Sequence, residues 1–193
     1  MVQVSTALLS AYDKIGIKEL GRFLHGNGVR ILATEGTGSE IGREYVTLVG
    51  GPQYKGGVIS FVAGWDEKFR IPYVADTRYK TDIELVVVNL LPLHVAVEAP
   101  FGSLEERYGI TSSRELLRLS DPGGHYILRH IFHMPARKDL VVVTDPRHYP
   151  RVTGEISSSG RISPETVEEM NSESMKYTEM IEKLYRDRGI IVI

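Results

Sequence analysis

The chain has 193 residues, 42% hydrophobic and 25% charged, values of an ordinary soluble globular protein with room for one full core. A net charge of −2 gives no global pull toward nucleic acid or an anionic membrane, and the absence of cysteine excludes disulfides, thiolate catalysis and cysteine-ligated metal. No apolar run approaches bilayer-spanning length and Met1-Val2-Gln3-Val4 has no signal-peptide pattern, so a cytoplasmic location is expected.

Residues 5–10 read as a buried strand, after which Ile17, Leu20, Phe23 and Leu24 recur at helical spacing. Asn27-Gly28 closes that helix, as glycine does just past a helix end. Residues 29–33 give a second strand and 37–43 a short helix. Glycines at 50–51 and 56–57 bracket a loop, followed by an apolar segment at 58–62. Residues 83–90 form the clearest central strand, apolar almost throughout, as parallel strands covered on both faces are.

Residues 113–119 read as helix, Asp121-Pro122-Gly123-Gly124 as a turn, and 126–133 as the helix that the turn opens. Residues 140–144 are another buried strand, ended by Asp145-Pro146. Ser163-Pro164-Glu165 is a helix start with proline at the first helical position, and an amphipathic helix then runs toward Arg186. Residues 190–193 form a last apolar segment. Strands alternating with helices predict a three-layer α/β fold with a mainly parallel central sheet, in one domain spanning 1–193.

Two strand-to-helix turns carry the chemistry of the N-terminal half: Ser10-Ala11-Tyr12-Asp13-Lys14 and Thr34-Glu35-Gly36-Thr37. Hydroxyls, glycine and lysine beside the first backbone N–H groups of a helix make an anion site, and a phosphorylated small molecule is the natural ligand. The alternative is that Ser, Thr and Asp merely cap helices. His130 and His133 stand at i, i+3, but only Asp121 accompanies them among carboxylates, so no metal is expected.

In order along the chain, Ala7-Leu8-Leu9-Ser10-Ala11-Tyr12-Asp13-Lys14-Ile15-Gly16, Thr34-Glu35-Gly36-Thr37, Val86-Val87-Val88-Asn89-Leu90-Leu91-Pro92, Asp121-Pro122-Gly123-Gly124 and Met175-Lys176-Tyr177-Thr178 resemble the IMP cyclohydrolase domain of the bifunctional purine-biosynthesis enzyme. The resemblance implies a methylglyoxal-synthase-like fold, a homodimer, and ring closure of formyl-AICAR to IMP with loss of water. It implies no cofactor. Ser10, Lys14 and the backbone of the Thr34, Glu35, Gly36, Thr37 turn would then hold the substrate phosphate, with Tyr12, Asp13 and Val88 as further substrate contacts, while Asn89 and the turn with Pro122, Gly123 and Gly124 meet the heterocycle, Asn89 counting with Asp121 and His133 as catalytic. Asp121 would accept a proton or hydrogen bond from the carboxamide. A separate AICAR formyltransferase is the implied partner, because 193 residues are too few for that second activity.

The departures are specific. The family's Arg-Val-Lys-Thr-Leu-His-Pro signature falls where this chain reads Val46-Thr47-Leu48-Val49-Gly50-Gly51-Pro52. The family's tyrosine after Asn-Leu is Leu91, and its lysine on the helix after Asp-x-Gly-Gly is His133. In an active enzyme His133 would replace that lysine as proton donor and Lys55 would supply the missing positive charge. Two other readings stay open: a non-catalytic purine-nucleotide-binding regulator or partner subunit, and a methylglyoxal-synthase-type lyase.

Overall fold

The computed structural model describes residues 1–49, 83–89, 124, 127–128, 131–132 and 139–187. Its strands are β1 (Thr6–Ala11), β2 (Arg30–Ala33), β3 (Thr47–Leu48), β4 (Leu85–Asn89) and β5 (Val141–Val143). They join in one sheet in the order β3-β2-β1-β4-β5, with every neighbouring pair parallel. Helices α1 (Ile17–Gly26), α2 (Glu35–Ile41), α3 (Tyr149–Ser159) and α4 (Pro164–Asp187) flank it. This is the α/β class with a parallel sheet that the alternating pattern predicts.

The apolar runs of the strands follow from burial on both faces. Ala7, Leu9, Ala11, Leu85, Val87, Val141 and Val143 share one cluster with Ile17, Leu20 and Leu24 of α1 and Tyr149, Val152 and Ile156 of α3. Successive strand side chains point to opposite faces, so Leu8, Val86, Val88 and Val142 look the other way, and they are buried as well. Helix α1 ends as its sequence predicts: Gly28 N–H donates to the His25 carbonyl and Val29 N–H to the Leu24 carbonyl, both at 3.0 Å, with Gly28 at φ +78°.

Three elements differ from the sequence expectation. The helix expected over 37–43 begins earlier, at Glu35, and stops at Ile41, because Gly42 leaves helical geometry at φ +117°. A short 3-10 turn, Arg43–Tyr45, follows. Strand β3 and helix α3 have no counterpart among the elements read from the sequence. β3 is only two residues long, below what periodicity can register. Helix α3 contains Pro150, Gly154 and three consecutive serines, a composition that does not announce a helix. Its existence rests on burying Tyr149, Val152 and Ile156, on one stripe, in the core cluster. The segments expected at 58–62, 113–119 and 190–193 lie outside the described residues; Ile127, Leu128, Ile131 and Phe132 are helical, in keeping with the helix read over 126–133, whereas Gly124, read as the end of the preceding turn, is already helical.

The side of β5 away from β4 is closed by side chains of α4. Val142 N–H donates to Asn171 Oδ1 and Asn171 Nδ2 donates to the Leu140 carbonyl, each at 2.8 Å. The Val142 carbonyl accepts from Ser174 Oγ at 2.9 Å, and Ser174 is buried. Asn171→Leu leaves a backbone donor and acceptor under the helix without partners, each costing roughly 1–3 kcal/mol. The expected result is a lower urea midpoint with an unchanged m-value. A midpoint equal to that of the parent chain would contradict this role for Asn171.

Candidate active site

The sheet order reverses direction of growth at β1: β2 and β3 lie to one side of it, β4 and β5 to the other. In open α/β sheets the crevice at the carboxyl ends of the strands flanking such a reversal is where ligands bind. Here those ends are Ala11 of β1 and Asn89 of β4, which are register partners. The turn after β1, the turn after β2 and the end of β4 therefore converge on one edge.

The two turns meet through Thr37, whose side chain is fully buried. Ala11 N–H donates to Thr37 Oγ1 at 3.0 Å, Thr34 Oγ1 donates to it at 3.1 Å, and Thr37 Oγ1 donates to the Ala11 carbonyl at 3.3 Å. Lys14 Nζ donates to the Ala11 carbonyl and reaches Thr37 Oγ1 at 3.4 Å. A hydroxyl oxygen has two lone pairs, so three donors compete at Thr37 and the long lysine contact is the weakest of them. Gly36 sits beside the ammonium: a Cβ there would lie 3.8 Å from Lys14 Nζ.

The hydroxyls of these turns are not spent on capping. Neither the Gly16 start of α1 nor the Thr34 start of α2 has a side-chain cap hydrogen bond. Asp13 Oδ1 instead accepts from Ile15 N–H at 2.9 Å, shaping the turn after β1. The capping alternative therefore does not account for Thr34 and Thr37.

Asn89 sits beneath the first turn and is almost wholly buried. Its Oδ1 accepts from Asp13 N–H at 2.8 Å, and its Nδ2 donates to the Asp13 carbonyl at 2.9 Å. The second Nδ2 hydrogen goes to the Tyr149 hydroxyl at 3.0 Å. Tyr149 opens α3, and its ring packs against Gly16, where a Cβ would come within 3.3 Å. Burial pushes the Tyr149 phenol well above its usual range; Asp13 and Asp145 add to this and the Asn89 hydrogen bond opposes it, so the hydroxyl stays protonated.

The other expected site residues divide clearly. Ser10 and Val88 are buried in β1 and β4, where they are register partners, so neither is open to a ligand. Tyr12 is exposed at the mouth of the crevice. Glu35 is a surface residue whose carboxylate is ion-paired to Arg43. Gly124 is buried in a helical segment. Lys55, Asp121, Pro122, Gly123 and His133 lie outside the described residues. Tyr149 is the site residue that the sequence did not single out; its signal is the position three residues after Asp145-Pro146, the turn that ends β5. Among the described residues there is no cluster of three or more metal-ligating side chains, and no helix is long and apolar enough to cross a membrane.

Comparison with known proteins bears out the resemblance read from the sequence. The chain is similar to the "Bifunctional purine biosynthesis protein PurH" of Leptospira biflexa, with 28% identity over 211 aligned positions covering 97% of this chain and 38% of the relative. The protein of the same name from Sorangium cellulosum is 28% identical across 91% of this chain and 34% of its own length. That of Clostridium botulinum is 26% identical across 84% and 33%. The chain thus spans about a third of the length of these curated relatives. No family profile matches it. A solved structure, "Crystal structure of ForH", shares the fold with a TM-score of 0.56 and 20% identity, covering 93% of this chain and 96% of that one.

Proposed function

We propose that this chain, similar along its length to purine-biosynthesis proteins, acts in purine biosynthesis as an IMP cyclohydrolase, closing formyl-AICAR to IMP with loss of water. The observation that carries the reading is the meeting of Lys14, Thr34 and Thr37 at the carboxyl edge beside Asn89. A cation held by a carbonyl and a buried hydroxyl, next to the backbone of two turns, suits a phosphate monoester.

In this reaction the carboxamide nitrogen attacks the formyl carbon of the same molecule, a C–N bond forms, and the formyl oxygen departs as water. The protein must hold the two groups together, remove one proton from the carboxamide nitrogen and one from the formamide nitrogen, and see two delivered to the departing oxygen. Orientation alone is worth as much as about 7–11 kcal/mol in well-aligned intramolecular reactions. In the proposed assignment the Lys14 turn and the Thr34–Thr37 turn anchor the phosphate end. Asp121 takes the carboxamide proton and His133 protonates the departing oxygen. Lys55 supplies the positive charge of the family's absent Arg and Lys, and Pro122, Gly123 and Gly124 present backbone to the heterocycle. A homodimer working beside a separate AICAR formyltransferase completes the proposal.

A second reading has a specific observation behind it. Leu91 and His133 stand where the family has tyrosine and lysine, and 46–52 carries none of its Arg-Val-Lys-Thr set. A chain that binds the nucleotide without turning it over would tolerate those losses. The deciding experiment is to incubate the pure protein with formyl-AICAR and follow IMP. Ring closure faster than in buffer, reduced by Asp121→Asn and by His133→Ala more than IMP binding is, supports the enzyme. Binding of IMP with no rate above background leaves the regulator.

A further inference from the structure

The hydrogen directions at Asn89 are dictated by its neighbours. The Asp13 backbone presents one donor and one acceptor to the same amide, so the orientation of that amide is fixed: Oδ1 faces the Asp13 N–H and Nδ2 faces the Asp13 carbonyl. The remaining Nδ2 hydrogen must then be donated to Tyr149, whose oxygen is the acceptor. Both Nδ2 hydrogens are committed within the fold. The Tyr12 N–H donates in addition to the Asn89 carbonyl at 2.9 Å, so the end of β4 grips residues 12 and 13 by main chain and side chain together. Residue 14, next along, carries the ammonium that reaches Thr37.

Tyr149 belongs to α3, an element otherwise remote in sequence from the two turns, and it touches the first turn twice. Its hydroxyl holds Asn89, and its ring lies against Gly16, which takes the left-handed φ of +69° that brings the chain from Lys14 into α1. We propose that Tyr149 is a positioning residue for phosphate binding: acting through Asn89, it fixes the Asp13-Lys14 turn so that the Lys14 ammonium stands against the Thr34–Thr37 turn. This rests on the phosphate-anchoring role proposed for those turns. Tyr149 itself touches no substrate in this scheme.

The test compares Tyr149→Phe with the parent chain using IMP and inosine, which differ only by the phosphate. Loss of one buried hydrogen bond that aligns the turn is expected to raise the Kd for IMP about tenfold, with the Kd for inosine nearly unchanged. A merely structural tyrosine would weaken both ligands alike or neither, and either result overturns the proposal. Amide hydrogen exchange at Asp13 gives a reading independent of ligand. Exchange there should accelerate in Tyr149→Phe while Leu8, in the middle of β1, keeps its protection. If the parent chain binds no IMP, the phosphate-anchoring reading has failed, and the Asp13 amide still decides whether Tyr149 holds the turn: unchanged exchange refutes it. Should Tyr149→Phe not fold, Asn89→Leu removes at nearly the same size both the acceptor of the Asp13 N–H and the donor to Tyr149, and must speed exchange at Asp13; unchanged exchange overturns the proposal.

Discussion

Lys14→Ala is expected to weaken IMP binding roughly 10- to 100-fold and leave inosine binding within about twofold of the parent, because a charge-assisted hydrogen bond to phosphate is worth about 1.5–3 kcal/mol. The fold should survive the change. The Ala11 carbonyl that the ammonium meets also accepts from Thr37, and Thr37 retains the Ala11 N–H as its closest donor. Titration calorimetry at two salt concentrations checks the origin of the loss. The gap between parent and variant should narrow as salt rises, since a point charge on a phosphate is screened. Equal losses for IMP and inosine would place Lys14 outside the phosphate contact.

The second large effect is on stability. Thr37→Val keeps the side chain's shape and removes its oxygen. The Ala11 N–H, at the end of a central strand, then has lost its acceptor, and the Thr34 hydroxyl has lost its partner. Burial makes this expensive: an unsatisfied buried donor costs about 1–3 kcal/mol, and Thr37 is fully enclosed. The expected loss in a urea melt is about 2–3 kcal/mol, with Thr37→Ser recovering most of it because serine restores the hydroxyl. If valine and serine variants melt together, the hydroxyl network contributes nothing and the position is one of packing alone.

Much of this arrangement is legible in the amino-acid sequence. The apolar run at 85–88 identifies β4 because a strand buried on both faces has no polar positions to alternate with, and Asn27-Gly28 marks the end of α1 because Gly28 must take a positive φ. Proline at the start of α4 and its amphipathic spacing do the same for the last helix. The two turns and Asn89 are legible as a set through their order. Their division of labour is not. Asn89 reads from sequence as a ligand contact, yet its amide is taken up by Asp13 and Tyr149.

What escaped the sequence escaped for physical reasons. Helix α3 is specified by three residues buried in the core cluster, a tertiary signal that outweighs proline, glycine and serine propensities. With α3 unseen, Tyr149 had no element to bring it to the crevice. The seven-residue α2 starts early because Thr34 remains extended while its carbonyl already accepts from Gly38 N–H at 2.7 Å. Gly38 itself permits that helix to lie close on β3: a Cβ there would stand 2.5 Å from Leu48 Cδ2 and 3.0 Å from Val46 Cγ2, so a larger residue must displace those side chains.

The Asn171 and Ser174 contacts to β5 bear on how this protein can associate. A parallel sheet that ends in a bare strand offers its outward amides and carbonyls as a template on which a strand from another molecule can add. Here the amide and carbonyl of Val142 and the carbonyl of Leu140 are already occupied by one helix. Growth of the sheet across β5 into a neighbouring molecule is thereby blocked, and any self-association on that side must go through the outer surface of α4. Even without Asn171 the helix and the Ser174 hydroxyl still cover this edge, so the substitution lowers stability without offering the ladder to another strand.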